Sequence, residues 1–200
     1  MDINIKPLSA ELIDDFMDFF DHKAFCDNPE WAGCYCYYHQ YEKSLDEWCK
    51  RTSEDNRSAA VESIKSGKMK GCMAYVDNMP VGWCNANRKT EFNLLVKGVK
   101  AQENERNICS IVCFIVAPEH RRKGIASMML DFICTQSQKQ GFDAIEAYPA
   151  KNVQGDAHNY HGPLQMYLSA GFSVVGATEE FDVVRKDISR DQFKCLNWGR

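Results

Sequence analysis

Nine consecutive residues, Ile108–Val116, constrain this chain more than any other stretch, because only Ser110 among them is clearly polar. A strand of that length without polar alternation has to be covered on both faces, so the sheet that holds it needs a layer above and a layer below. Pro118 cannot donate to a ladder and therefore ends the strand. Beyond it, Ile125, Met129, Phe132 and Ile133 fall at helical spacing. The stretch reads as strand, tight basic turn, helix.

The turn has its own chemistry. The first N–H groups of a helix lack intrahelical partners, and the macrodipole places partial positive charge there. Gly124 has no Cβ, so a ligand can approach its backbone closely. Arg121, Arg122 and Lys123 add three cationic side chains. Such a turn suits a pyrophosphate. On these residues alone, an anion cradle and a solvated basic helix start with a packing glycine are both open.

Two motifs resemble a known family. Arg121-x-x-Gly124-x-Ala126 is similar to the Arg/Gln-x-x-Gly-x-Gly/Ala signature of the GNAT superfamily of N-acetyltransferases. Met166-Tyr167-Leu168-Ser169-Ala170-Gly171-Phe172 resembles the family's downstream Tyr-x-x-x-Gly-Phe segment. The resemblance is specific from Ile108 to Val175. It implies an α/β GNAT (acyl-CoA N-acyltransferase) fold, a mixed central sheet flanked by helices. It also implies acetyl-CoA as co-substrate, lying where the strand at Ile108–Val116 splays from the next parallel strand. Phe114, Ile115 and Val116 would then flank the acetyl and pantetheine end. Arg121, Arg122, Lys123, Gly124, Ile125 and Ala126 would hold the pyrophosphate. One departure stands out: the asparagine often found seven residues before the motif tyrosine is Tyr160 here, with Asn159 adjacent.

A chain of 200 residues with 44% hydrophobic and 26% charged residues fits a single globular domain spanning 1–200. A net charge of −4 without a long basic run argues against nucleic acid as a partner. Neither a signal-peptide pattern nor a stretch of ~20 apolar residues is present, which argues against a membrane and for a cytoplasmic protein with reduced thiols. Cys109, Cys113 and Cys134 read as small buried hydrophobes.

The other elements follow in order. Ile3-Asn4-Ile5 starts a strand, and Ser9 can cap a helix running to about His22, with Leu12, Ile13, Phe16, Phe19 and Phe20 inward. From Met1 to Glu30 eight acidic residues stand against Lys6 and Lys23, either a solvated helix face or a field that draws in a cationic amine. The segment 25–49 is rich in cysteine and aromatic residues, and is expected to wall the acceptor side or pack as a lid. Cys34-x-Cys36 lacks the two-to-four-residue gap of structural zinc sites, so no metal is expected. Ser53–Ser66 reads as a helix. Gly71–Val76 and Val81–Ala86 read as a hairpin, Phe142–Ala147 as the next strand, Pro163–Ser169 as a helix, and Ser173–Ala177 with Phe181–Lys186 as a closing pair. The polar connection 87–107 is a candidate for closing over the substrate.

The expected reaction is transfer of an acetyl group from acetyl-CoA to a primary amine by direct attack. The competing reading is a non-catalytic acyl-CoA-binding sensor or interaction domain of the same fold. Tyr167 is the candidate acid, since a phenol with pKa ~10 is protonated at neutral pH and can donate to a departing thiolate. Glu146, on the strand lining the cleft, is the candidate base, with His158 and His161 in the loop beside it. The partner is a small-molecule or peptide amine, and a homodimer is open.

Overall fold

A computed structural model describes residues 2–96, 98–99, 107–156 and 158–188. Its elements are β1 (Ile3–Pro7), α1 (Ile13–His22), α2 (Leu45–Trp48), α3 (Ser53–Lys65), β2 (Gly71–Val76), β3 (Met79–Arg88), β4 (Ile108–Val116), α4 (Ile125–Lys139), β5 (Ala144–Ala147), α5 (Leu164–Ser169), β6 (Ser173–Ala177) and β7 (Asp182–Asp187). Seven strands form one mixed sheet in the order β1-β2-β3-β4-β5-β7-β6. The β4–β5 pair is parallel, and the other neighbours are antiparallel.

β4 is buried along eight of its nine residues, as its unbroken apolar run predicts. Alternate side chains of the sheet feed two cores. Met73, Tyr75, Trp83 and Val112 join the core under α1, which contributes Phe16, Phe19 and Phe20. Cys72, Ala74, Cys84 and Ile111 face α4 and α5, meeting Met129, Ile133 and Tyr167. Burying each phenylalanine of α1 contributes roughly 1.5–3 kcal/mol. Cys109 and Cys113 lie inside the sheet, while Cys134 is half-buried.

One local expectation differs from the structure. Ser9 makes no capping hydrogen bond, because a 3-10 turn at Ala10–Leu12 intervenes before α1. Among the described helices, Ser44 caps α2 by accepting from the Glu47 N–H, and a reciprocal capping box forms at α3. There Thr52 accepts from the Asp55 N–H and the Asp55 carboxylate accepts from the Thr52 N–H. The acidic residues near the N-terminus are also engaged: Asp15 accepts from Tyr75, Asp21 from Tyr35 and Arg57, and Asp18 pairs with Lys23.

The cleft has a visible cause. The β4–β5 ladder runs only from Ile108 opposite Ala144 to Ile111 opposite Ala147. At that point the β3–β4 register skips Val112, since Asn85 faces Cys113 and Ala86 faces Ile111. A bulge bends its strand and increases the local twist. β4 therefore continues to Val116 past the end of β5, and the two strands part.

Candidate functional site

The opened end of β4 forms the floor of a cavity of about 340 Å³. Phe114, Ile115 and Val116 line it from the strand, and Arg121, Arg122, Gly124, Ile125 and Ala126 line it from the turn and the start of α4. Eight of the nine residues expected at the cofactor thus share one cavity, while Lys123 does not line it. Gly124 adopts φ +82, and a Cβ placed there would meet nothing within 4 Å. Glycine is needed there for the left-handed backbone, not for lack of room. Arg122 also has positive φ, at 60°. The first intrahelical bond reaches the Gly124 carbonyl from Met128, so the N–H groups of the turn just before it have no helical acceptor.

Arg121 is already engaged. Its Nε donates to the Val116 carbonyl at 3.0 Å, and its two terminal nitrogens grip the Asp27 carboxylate at 2.5 and 3.0 Å. The guanidinium holds the Asp27 carboxyl below its ordinary pKa. Asp27 itself lines the cavity. Among the described residues, Arg122 is the lining arginine of this turn without an ion-pair partner. Sequence reasoning missed Asp27, which lies 94 positions from Arg121.

A second cavity, of about 710 Å³, lies on the α1 side. Phe25, Ile115 and Tyr160 line both, so these three residues form the boundary between the two spaces. Segment 25–49 supplies much of its wall, including Trp31, Cys34, Cys36, Tyr38, His39 and Trp48, and Leu95 and Val96 come from the connection 87–107. The rest of that connection, at 97 and 100–106, falls outside the described residues. Buried Asn85 of β3 anchors the wall, donating to the Cys36 carbonyl and accepting from Gln40, each at 3.1 Å. Asn56 of α3 does the same for Gly33, at 2.8 Å. Tyr35 and Cys36 both take positive φ, at 45° and 49°. Adjacent strain of this kind persists only where the surroundings over-determine it. Among the described residues, no group of three or more potential ligands is placed to hold a metal ion.

Two histidines sit deep in this cavity. His39 Nδ1 lies 2.6 Å from the Leu94 carbonyl and must donate to it, which leaves Nε2 with a bare lone pair. Burial pushes its pKa down to about 4. His161 is pushed down to about 3, by burial first and by His39 second, and its Nδ1 is buried without a partner. Both rings are therefore neutral at physiological pH. Burial likewise pushes the Cys34 thiol up to about 12, with Cys36 adding to the effect. His158 packs edge-on against Trp31 at 4.9 Å.

The two expected catalytic residues sit apart from the lining of both cavities. The Tyr167 hydroxyl is buried and donates to the His161 carbonyl at 2.6 Å. It lies directly behind Gly162, where an added Cβ would stand 3.1 Å from the hydroxyl oxygen. Gly162 does line the cofactor-side cavity. Burial raises the Tyr167 pKa well above the ordinary phenol value. Glu146 is fully enclosed, ion-paired with Lys89 at 2.8 Å and Arg185 at 2.6 Å, and accepts from Tyr148 at 2.9 Å. Burial alone would raise its pKa, but Lys89 and Arg185 outweigh that and hold it below the ordinary value. Asn159 and Tyr160 both line the cofactor-side cavity. The Asn159 Oδ1 is buried without a partner, and the Tyr160 carbonyl accepts from the Phe114 N–H at 2.5 Å.

The family model described as Acetyltransferase (GNAT) family matches residues 11–162. The chain belongs to the GNAT family of acetyltransferases. Solved GNAT structures show the same fold over nearly the whole chain. The PaiA N-acetyltransferase of Thermoplasma acidophilum, solved with coenzyme A, superposes with a TM-score of 0.56 at 18% identity, covering 94% of this chain and 99% of that one. YncA of Salmonella typhimurium, a putative acetyltransferase solved with acetyl-CoA, gives 0.52 at 10% identity, covering 94% and 95%. An aminoglycoside 6'-acetyltransferase type Ii gives 0.56 at 14% identity, covering 92% and 97%. No curated protein matches the sequence. Among the described residues, no helix of this GNAT protein is long and apolar enough to cross a membrane.

Proposed function

We propose that the protein is an acetyl-CoA-dependent N-acetyltransferase that acetylates a primary amine by direct attack. The observation that carries this reading is the junction of the two cavities at Phe25, Ile115 and Tyr160. A thioester entering from the turn at Arg122–Ala126 and an amine entering from the aromatic side would meet there. The pyrophosphate takes the backbone N–H groups at Gly124, Ile125 and Ala126 together with the Arg122 guanidinium. Asn159 lines the same cavity, and its amide, once turned toward it, would accept from an amide N–H of the pantetheine arm.

In this reading the amine lone pair attacks the thioester carbonyl carbon, the carbon–sulfur bond breaks, the departing thiolate takes a proton from Tyr167, and the proton that the nitrogen sheds on becoming an amide returns through solvent to the Tyr167 phenolate. That hydroxyl is enclosed behind Gly162 and bonded to the His161 carbonyl, so this step requires the chain at 161–162 to shift and bring it into the cavity. No nearby side chain suits removal of the first amine proton. An alkylammonium has a pKa of ~10 and His39 about 4, so that transfer would run uphill by about six units, or ~8 kcal/mol. Glu146, held low by Lys89 and Arg185, is no stronger a base. The amine therefore enters neutral, aided by the aromatic wall and the Arg51 guanidinium of the cavity, which disfavour its charged form. The neutral Cys34 thiol gives no support to a cysteine acyl carrier.

The test is Tyr167→Phe. Turnover should fall roughly a hundredfold while acetyl-CoA affinity stays within twofold, the range for loss of a general acid. Unchanged turnover would remove Tyr167 from the reaction. Unchanged binding with no turnover in either protein would favour the sensor reading.

A further inference from the structure

The acceptor-side cavity combines three features that together select a substrate. First, its wall is aromatic: Trp31, Tyr38, Trp48, Tyr160 and Phe181 line it. Trp31 packs edge-on against Tyr160 at 5.2 Å and Tyr38 against Trp48 at 5.2 Å, and the two pairs are linked through the rings of His161 and His39. Second, the spaces between rings hold sulfur, from Cys34, Cys36 and Cys113. Thiol and thioether sulfur is polarizable and packs well against ring edges. Third, charge is scarce at depth. The carboxylates among the described lining residues are Glu30 and Glu180, both exposed. The Arg51 guanidinium also lines the cavity, held by Asn56 and by the rings of Tyr37 and Tyr41 at 5.4 and 5.0 Å.

A polyamine or an aminoglycoside carries several ammonium groups. Each group buried without a carboxylate would lose its hydration uncompensated, and Arg51 would repel it. A molecule with one amine and a flat apolar body avoids both costs. Its ring would fill the aromatic wall, where offset and edge-on ring pairs are favoured beyond simple burial. Its single nitrogen would give its proton to bulk water at the mouth, where Glu30 and Glu180 lie, and reach the junction as a neutral amine. On the way, the bare Nε2 lone pair of His39, which lines this cavity, can accept a hydrogen bond from it.

We propose that the acceptor is a primary monoamine carrying an aromatic ring, its ring seated among Trp31, Tyr38, Trp48 and Phe181 and its nitrogen at the junction with the cofactor cavity. This inference rests on the acetyltransferase reading, and the experiment separates the two. Equilibrium binding of 2-phenylethylamine, hexylamine, spermidine and kanamycin is measured first on the cofactor-free protein by calorimetry. Acetyl-CoA binding is measured separately, and product formation is then followed by mass. Phenylethylamine should bind at least tenfold more tightly than the other three and show a kcat/KM at least tenfold higher. Trp31→Ala and, independently, Trp48→Leu should bring phenylethylamine to within threefold of hexylamine while acetyl-CoA affinity stays within twofold. A preference for spermidine or kanamycin, or hexylamine equal to phenylethylamine in the unaltered protein, overturns the inference. So does failure of all four amines to bind. Absence of acetyl-CoA binding alone strikes the acetyltransferase reading and leaves the binding preference readable.

Discussion

Asp27 is the residue whose position most alters how the cofactor turn works. Its carboxylate occupies Arg121 inside the cavity proposed for the pyrophosphate, where it would both cancel a cation and repel the incoming phosphate. Replacing it with asparagine keeps the shape and removes the charge. Acetyl-CoA affinity of Asp27→Asn should rise roughly threefold to tenfold at low salt, or about 0.6–1.4 kcal/mol, and the gain should shrink as ionic strength rises. Weaker binding at every salt concentration would mean that the Asp27–Arg121 pair braces the site. The pairing could not be read from sequence. Arg121 was legible as part of a motif, but nothing local marks a residue 94 positions earlier as its partner.

Among the elements, β4 and α4 were the most legible, because a long apolar run and a helical stripe have few alternative explanations. The bulge at Val112, which opens the cleft, leaves no mark in composition. Segment 25–49 was legible only as aromatic and cysteine-rich. It folds as short 3-10 turns at Pro29–Cys34 and Tyr38–Gln40 and one turn of α2, which have no periodicity to detect. Lys89 falls in the polar connection 87–107, where nothing in the sequence marks it for burial, yet it is buried against Glu146. That cluster ties the loop after β3 to β5 and, through Arg185 directly opposite Glu146, to β7. Glu146→Gln should therefore destabilise the fold by ~3–5 kcal/mol, the cost of breaking a buried ion pair from one side. Calorimetric unfolding should show a drop on the order of 10 °C. A drop below about 2 °C would show that the cluster carries little of the sheet's stability.

For the molecule as a whole, the buried neutral histidines set an acid limit. The unfolded chain binds a proton at each histidine below pH ~6.5, whereas the folded chain does so only near pH 4 at His39 and pH 3 at His161. The unfolded state thus binds more protons in between, and stability falls as pH drops through that window. Each of the two contributes a slope approaching 1.4 kcal/mol per pH unit between about pH 6 and pH 4. Chemical denaturation across that range should show the decline, and a His39→Gln/His161→Gln protein should show a flatter one if it folds. An equally steep decline in that variant would assign it to other groups.

Thermal unfolding with and without acetyl-CoA, for the unaltered protein and for Gly124→Asp, tests the central claim most directly. A ligand at about a hundred times its dissociation constant stabilises the native state by ~2.7 kcal/mol. The unaltered protein should show that upward shift. Gly124→Asp, which adds a carboxylate and a Cβ to the left-handed turn, should unfold cooperatively and show none. An unshifted transition in the unaltered protein at millimolar acetyl-CoA, or an equal shift in both proteins, would contradict the placement of the cofactor at this turn.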